Sequence, residues 1–440
     1  MPPSPGRAPA PDRHDARQAE AYARYMQGLM LTSDRSRTGE AQRAFAAAHE
    51  LDPDSRPPLD ALLLRYLQEN RTEEALAQIE AFCRKHPQDA DAHTDLAHLA
   101  ELNRDFKRAA AAYEQAARLR PDDLTLAGAH IRVLFAARRD ADALAAMRRL
   151  HREAPSRETR TLPAYWAMQF QRRTQEAARA LPCLELAETF ATGTAQRVEL
   201  RLLHGEAALA AGQTNLAIRS FRDSLEQSPQ HIRAASRLAR ILYESEGAAT
   251  ITNQSRNTPD TDLPGLMTLA ALHLVAHDRT NAVLALVRAR AALQAQQQLP
   301  SPDFSLLHGS TLDELGRREE AAAIFLDALH LHPRAHVLMN YLAYLWAVAN
   351  TRIEEAAHWA QQAVRLDPRN GAYLDTLGWV RFRQQRLEDS LDLLLRAHRQ
   401  MPDDPTILDH IGDVLARLQR TSEAAAYWSR SYALDPAQPE

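Results

Sequence analysis

Prolines stand at Pro53, Pro87, Pro121 and Pro155, each 34 residues after the one before, and the column returns at Pro229, Pro333, Pro368, Pro402 and Pro436. Twelve residues ahead of each lies a small side chain: Ala41, Ala75, Ala109, Ala143, Ala217, Ala321, Ala356, Ser390 and Ala424. Eight ahead of most lies a large apolar one: Phe45, Ile79, Tyr113, Met147, Phe221, Phe325, Leu394 and Trp428. Three columns kept in step over this length define a repeat array. A period of this size means supersecondary units that bury their apolar faces only by stacking on their neighbours.

Each period reads as two amphipathic helices. Between residues 374 and 402, Leu374, Leu377 and Gly378 fall at i, i+3 and i+4, one face of a first helix. The polar turn QQRLE follows, and a second helix turns Leu391, Leu394 and Leu395 inward. Pro402 ends it, because proline cannot continue a helix and biases its predecessor away from helical geometry. A glycine inside a helix costs about 1 kcal/mol against alanine. Gly378 recurs as Gly412 one period later, so the sequence predicts a close contact with the partner helix that offsets this cost.

These columns resemble the tetratricopeptide repeat, with Gly205, Gly309, Gly378 and Gly412 at its eighth position and Gly212 and Gly316 in the inter-helix turn. The resemblance implies an all-α, right-handed α-solenoid of about eleven to twelve helix pairs. Units at 22–53, 56–87, 90–121, 124–155, 198–229, 302–333, 336–368, 371–402 and 405–436 follow the pattern well. The unit at 264–298 lacks its closing proline, and that at 158–191 holds Pro163 and Pro182 inside its helices. The polar stretch EGAATITNQSRNTPDTDLPG shows no helical spacing. The expected organisation is therefore a proline-rich disordered leader at 1–15, an N-terminal array at 16–245, an irregular loop at 246–263, a C-terminal array at 264–436 and a tail at 437–440.

The last three units also resemble the C-terminal signature of a bacterial family of large tetratricopeptide proteins, many of them exported or lipid-anchored. That resemblance implies a role in envelope assembly or outer-membrane biogenesis. The chain has the Pro/Ala-rich leader but neither a hydrophobic signal nor a cysteine near its start, so the sequence as written reads as cytoplasmic, with a periplasmic or lipid-anchored location if a signal lies upstream.

A formal net charge of -4 offers no basic footprint for nucleic acid, and the longest apolar run, around residues 266–276, is too short to span a bilayer. Cys83 and Cys183 stand a hundred residues apart and read as buried helix positions. The 14 glycines are never closer than seven residues, which excludes dinucleotide and phosphate loops. His330, His332 and His336 form the nearest approach to a metal cluster, but histidine at a helix C-terminus is favoured by the helix dipole alone. The expectation is a non-catalytic protein with no cofactor and no metal.

Binding is the better place to look, because stacked helix pairs curve and create an extended concave surface. In the resembled family the first helix of each unit lines it. At its fifth and ninth positions the last three units carry Asn340 and Tyr344, Asp375 and Trp379, and Asp409 and Asp413, with Arg383 and Arg417 one turn further along. This ladder suits a peptide or partner protein, with Tyr344 and Trp379 as apolar anchors. The structural alternative is that Asp375 and Asp409 are first-turn acids favoured by the dipole and that Trp379 packs between first helices. Tyr427, Trp428 and Tyr432 on the last helix suggest a second contact surface, through which the chain could form an oligomer. The other readings kept open are a non-catalytic subunit of an enzyme complex and the envelope assembly factor.

Overall fold

A computed structural model describes residues 13–436. Among them are twenty-four α-helices and no strand. They divide into two compact units, with the boundary between residues 191 and 192. The first contains α1 (Arg13–Leu31), α2 (Thr38–Leu51), α3 (Arg56–Gln68), α4 (Thr72–Lys85), α5 (Ala90–Leu102), α6 (Phe106–Leu119), α7 (Leu124–Ala136), α8 (Asp140–Glu153), α9 (Arg157–Gln171) and α10 (Ala177–Thr189). The second contains α11 (Thr194–Ala210), α12 (Thr214–Gln227), α13 (Ile232–Glu246), α14 (Ala248–Asn257), α15 (Leu263–Val275), α16 (Arg279–Ala295), α17 (Pro302–Glu314), α18 (Arg318–Leu331), α19 (His336–Val348), α20 (Ile353–Leu366), α21 (Gly371–Arg383), α22 (Leu387–Gln400), α23 (Pro405–Arg417) and α24 (Thr421–Leu434). These are twelve helix pairs, an α-solenoid in each unit.

The local causes repeat from pair to pair. First helices start at polar caps: Asp89, Asp123, Ser301, Asn370 and Asp404 each accept a hydrogen bond from a backbone N–H of the first turn. Every proline of the 34-residue column lies two residues past the end of a second helix, as Pro87 follows α4 and Pro402 follows α22. Between α21 and α22 the chain reverses through Gln385 at φ +64°, and Asn70, Arg104, Arg138 and Gln419 take the same left-handed conformation in their pairs.

Within the last pairs the core forms where the columns predict. Leu374, Leu391, Leu394 and Ala397 are buried together with Ile407, Ile411 and Val414 of the following pair. Each large side chain so buried contributes about 1.5–3 kcal/mol. Gly378 meets the second helix directly: a Cβ built there would stand 2.8 Å from Leu394 Cγ. The Ser390 hydroxyl donates to the Gly378 carbonyl at 2.7 Å, which adds a polar tie at the same contact.

Three expectations change. Residues 246–263 are not a continuous irregular loop, because α14 occupies ten of them. The helix escapes an apolar-periodicity search because only Thr250 within it is buried. Polar contacts hold the segment between α14 and α15. Arg288 donates to Asp260 Oδ1 at 2.6 Å and to the Thr258 carbonyl at 3.0 Å, and Gln254 donates to Thr258 Oγ1 at 3.0 Å. The division into compact units also falls after residue 191 instead of near 245. Pro163 and Pro182 sit inside α9 and α10, as their spacing leads one to expect, and both helices run on unbroken. Residues 1–12 of the expected leader and the tail 437–440 lie outside the described residues, and positions 13–15 belong to α1.

Candidate functional site

The eight predicted site residues lie on three successive first helices, α19, α21 and α23, and the structure sorts them into two groups. Asp375 and Trp379 of α21 are each only 8% exposed. Trp379 stacks on His410 of α23, with ring centroids 4.1 Å apart and planes 16° from parallel, and on Phe382 at 4.7 Å. The Arg383 guanidinium lies 4.9 Å over the same indole and donates to the Ala347 carbonyl of α19 at 3.1 Å. Trp379 is therefore not an exposed anchor. It is the middle of a stack that joins one first helix to the next, and a single unit read alone does not reveal that its neighbour supplies His410.

Asp375 is its polar counterpart. Its carboxylate accepts from His410 Nδ1 at 2.8 Å, and both side chains are buried. Burial alone would push the His410 imidazole down, but the carboxylates of Asp375, Asp409 and Asp413 outweigh it and hold the pKa above the ordinary value of 6.5. Asp413, half-buried and one turn from Asp409, is pushed up by burial and by that neighbouring charge, against the opposing pull of His410 and a Trp428 hydrogen bond. Arg417, which is exposed, donates to Gln385 Oε1 at 2.9 Å and lies 5.9 Å over Phe382.

The second group stays accessible. On α19, Val337 is 42% exposed, Tyr344 38% and Val348 39%. With Asn340 they follow spacings of three, four and four residues, so they share one face of the helix. Asn340 is half-buried within this stripe, and its Oδ1 is closed to solvent without a hydrogen-bond partner among the described residues. Tyr344 packs edge-on against Tyr341 at 6.1 Å. Asp409 on α23 is half-buried. Val337 and Val348 were not part of the ladder read from the sequence. The signal was available: both continue the α19 face that Asn340 and Tyr344 define.

Two other surfaces can be placed. His332 bonds to the Pro300 carbonyl at 2.8 Å and His336 to the Tyr373 hydroxyl at 2.7 Å, so the two rings serve different partners. On α24, Trp428 and Tyr432 are exposed, while Tyr427 is half-buried beside His398. No helix among the described residues is long and apolar enough to cross a membrane.

Paired antiparallel helices repeated in register, with polar and aromatic side chains presented by the first helix of each pair, define a helical-repeat protein. The chain belongs to the tetratricopeptide-repeat family, whose profile matches residues 61–123, 94–158, 306–371 and 376–439, together just over half of its length. A TPR repeat-containing protein of Pseudomonas aeruginosa is 33% identical over 81 residues, which span 18% of this chain and 14% of that relative. Among solved structures, the chain is similar to the APC/C hetero-tetramer Cut9-Hcn1 at 12% identity, covering 97% of this chain and 88% of that one with a TM-score of 0.40. It is similar to yeast Tom70 at 12% identity, covering 95% and 92% with a TM-score of 0.37.

Proposed function

We propose that the chain is a non-catalytic scaffold that binds a segment of a partner protein along the first helices of its last three pairs. Family membership supports a binding role, and the α19 stripe supports the location. The observation that carries it is the α19 stripe: Val337, Tyr344 and Val348 stand exposed on one helix face, and Asn340 between them keeps an Oδ1 without a partner among the described residues, a deficit of about 1–3 kcal/mol that a turn of the side chain toward an incoming donor would relieve. A backbone N–H of an extended segment is such a donor. Val337, Tyr344 and Val348 then cover apolar side chains of that segment, while Asp409 and Asp413 favour a cationic one.

The test pairs two α19 variants. A partner captured with the intact chain is measured against Tyr344→Ala and Asn340→Leu. Both variants should weaken its affinity by about tenfold or more, the effect of losing roughly 1.4 kcal/mol. Asn340→Leu should at the same time leave thermal stability unchanged or raised, since it removes an unsatisfied polar atom. Folded variants that bind as the parent does would refute the assignment.

A further inference from the structure

The residue just before the eighth position of the repeat is buried in its pair, and the array fills the place in two ways. It is Leu96, Leu342, Leu377 or Ile411 in some pairs and His130, His204 or His308 in others, all of them buried. An imidazole there needs a partner, because a buried polar group left unpaired costs free energy. His204 has one on its own second helix, α12. The Ser220 hydroxyl donates to the Leu216 carbonyl at 2.9 Å, so its oxygen accepts from His204 Nδ1, also at 2.9 Å. The position of Ser220, sixteen residues after the histidine, is Ala146 in the pair of His130 and Ile324 in that of His308. Both of these histidines line a cavity, and the larger cavity belongs to His308.

Without that hydroxyl, His308 has no hydrogen-bond partner among the described residues, and its Nδ1 is closed to solvent. Phe304, one turn earlier on α17, meets the ring edge-on at 6.1 Å and offers it no hydrogen-bonding atom. A groove of about 410 Å³ opens over the ring between the second helices α16 and α18. A cavity of about 150 Å³ is enough to hold benzene. Val283 and Val287 of α16, with Leu312 and Ile324, make the walls apolar. The charged groups in the lining are committed, Arg290 to Asp327 at 2.9 Å and Arg317 to Glu320 at 2.7 Å. Burial, then Arg290 and Arg317 against the pull of Glu320, pushes His308 down to about 4, so the ring is neutral at neutral pH. A neutral imidazole carries one proton. Nδ1 has no acceptor to receive it, which leaves it on Nε2, the nitrogen open to the groove.

We infer that this groove binds a small uncharged molecule with an apolar body and a hydrogen-bond-accepting oxygen, of the ketone or ester class, whose oxygen accepts the Nε2 proton of His308. Val283, Val287, Leu312 and Ile324 cover the apolar body. A carboxylate is disfavoured because both arginines are engaged and Glu320 stands in the wall. A cation is disfavoured by the same two arginines. The site lies on the second-helix side of its pairs, away from the α19 stripe, and does not rest on the scaffold reading.

The probes are acetophenone, ethylbenzene and benzoate, titrated against the intact chain and read by saturation-transfer NMR. Acetophenone should bind about fivefold tighter than ethylbenzene, the gain of one hydrogen bond, with benzoate weakest. His308→Leu installs the side chain that Leu342 and Leu377 carry at this position, so it should melt no lower than the parent. It should bring acetophenone within about twofold of ethylbenzene. Ile324→Ser keeps the imidazole but restores the acceptor that Ser220 provides for His204, which draws the proton to Nδ1 and should likewise erase the ketone's advantage. Val287→Trp, at a half-exposed position of the wall, should weaken acetophenone by about tenfold or more, and Tyr344→Ala should leave it within about twofold. The proposal is overturned if the ketone has no advantage over the hydrocarbon in the parent, or if benzoate binds more tightly than acetophenone. It is also overturned if the advantage survives in folded His308→Leu or Ile324→Ser. Acetophenone that binds Val287→Trp as it binds the parent would place the site elsewhere and overturn it too.

Discussion

His410 and His308 are both buried histidines on first helices of the second unit, yet their surroundings pull them in opposite directions. His410 faces Asp375 on α21 and Asp409 and Asp413 on its own helix, with Arg383 across the Trp379 ring, and the carboxylates win. At His308 burial, reinforced by Arg290 and Arg317, prevails over the weaker pull of Glu320 and pushes the ring down to about 4. The signs come from linkage. A folded pKa raised above 6.5 gives stability that is complete below 6.5 and is lost as pH rises through the folded value. A folded pKa depressed to about 4 gives stability present above 6.5 and lost as pH falls toward 4. Thermal melts of the parent across this range should therefore show losses on both sides. His410→Gln should reduce the alkaline limb and leave the acid one, and His308→Gln should reduce the acid limb, to which His49, His130, His231 and His398, also pushed down by burial, contribute, and leave the alkaline one. Equal limbs in parent and both variants would mean that neither ring titrates with folding. The same site explains what was illegible at this scale. The types and spacing of Asp375, Trp379 and Asp409 were readable as a ladder, but burial is decided by the next pair, where His410 fills the space between first helices.

At the scale of helices, the repeat was readable because its punctuation is local chemistry: a proline two residues beyond a second helix and a small residue at each close contact. Gly378 and Gly128 separate the two roles a helical glycine can have. A Cβ at Gly378 meets Leu394 Cγ at 2.8 Å, whereas a Cβ at Gly128, within α7, meets nothing within 4 Å. Gly378→Leu should destabilise by about 1–3 kcal/mol through overpacking, more than any gain in helix propensity returns. Gly128→Ala should stabilise by about 0.5–1 kcal/mol, because only the conformational entropy of the unfolded chain changes. Urea denaturation of the two variants checks both signs, and a stabilised Gly378→Leu would show that α21 and α22 can part without cost. The helix that stayed hidden, α14, has neither kind of signal. Its single buried residue is Thr250, and the segment after it is held through Arg288, a side chain thirty positions beyond Thr258. Helix formation supported by distant polar contacts leaves no period in the local sequence.

For the whole molecule, stability in a helical-repeat protein is close to a sum of pair stabilities and nearest-neighbour interfaces, so an array with more pairs resists unfolding longer. The first unit holds five pairs and the second seven. The boundary at 191/192 was not legible, since the proline and alanine columns mark each unit of the repeat and not how many contacts cross between them. The first unit closes with α9 and α10, where Pro163 and Pro182 each remove a backbone donor from a helix interior. The second unit includes the weakly apolar α14 but continues through pairs whose cores join across neighbours, from Val283 to Val380 in one cluster and from Leu374 to Ala424 in the next. Unfolding of the intact chain is therefore expected to depart from a single two-state transition. Hydrogen exchange read by mass spectrometry through a urea series resolves this peptide by peptide. Peptides from residues 13–191 should lose protection at lower urea than those from residues 263–436, with α14 peptides exchanging earliest within the second unit. Superimposable transitions for peptides of both units would show one cooperative block and would defeat the division.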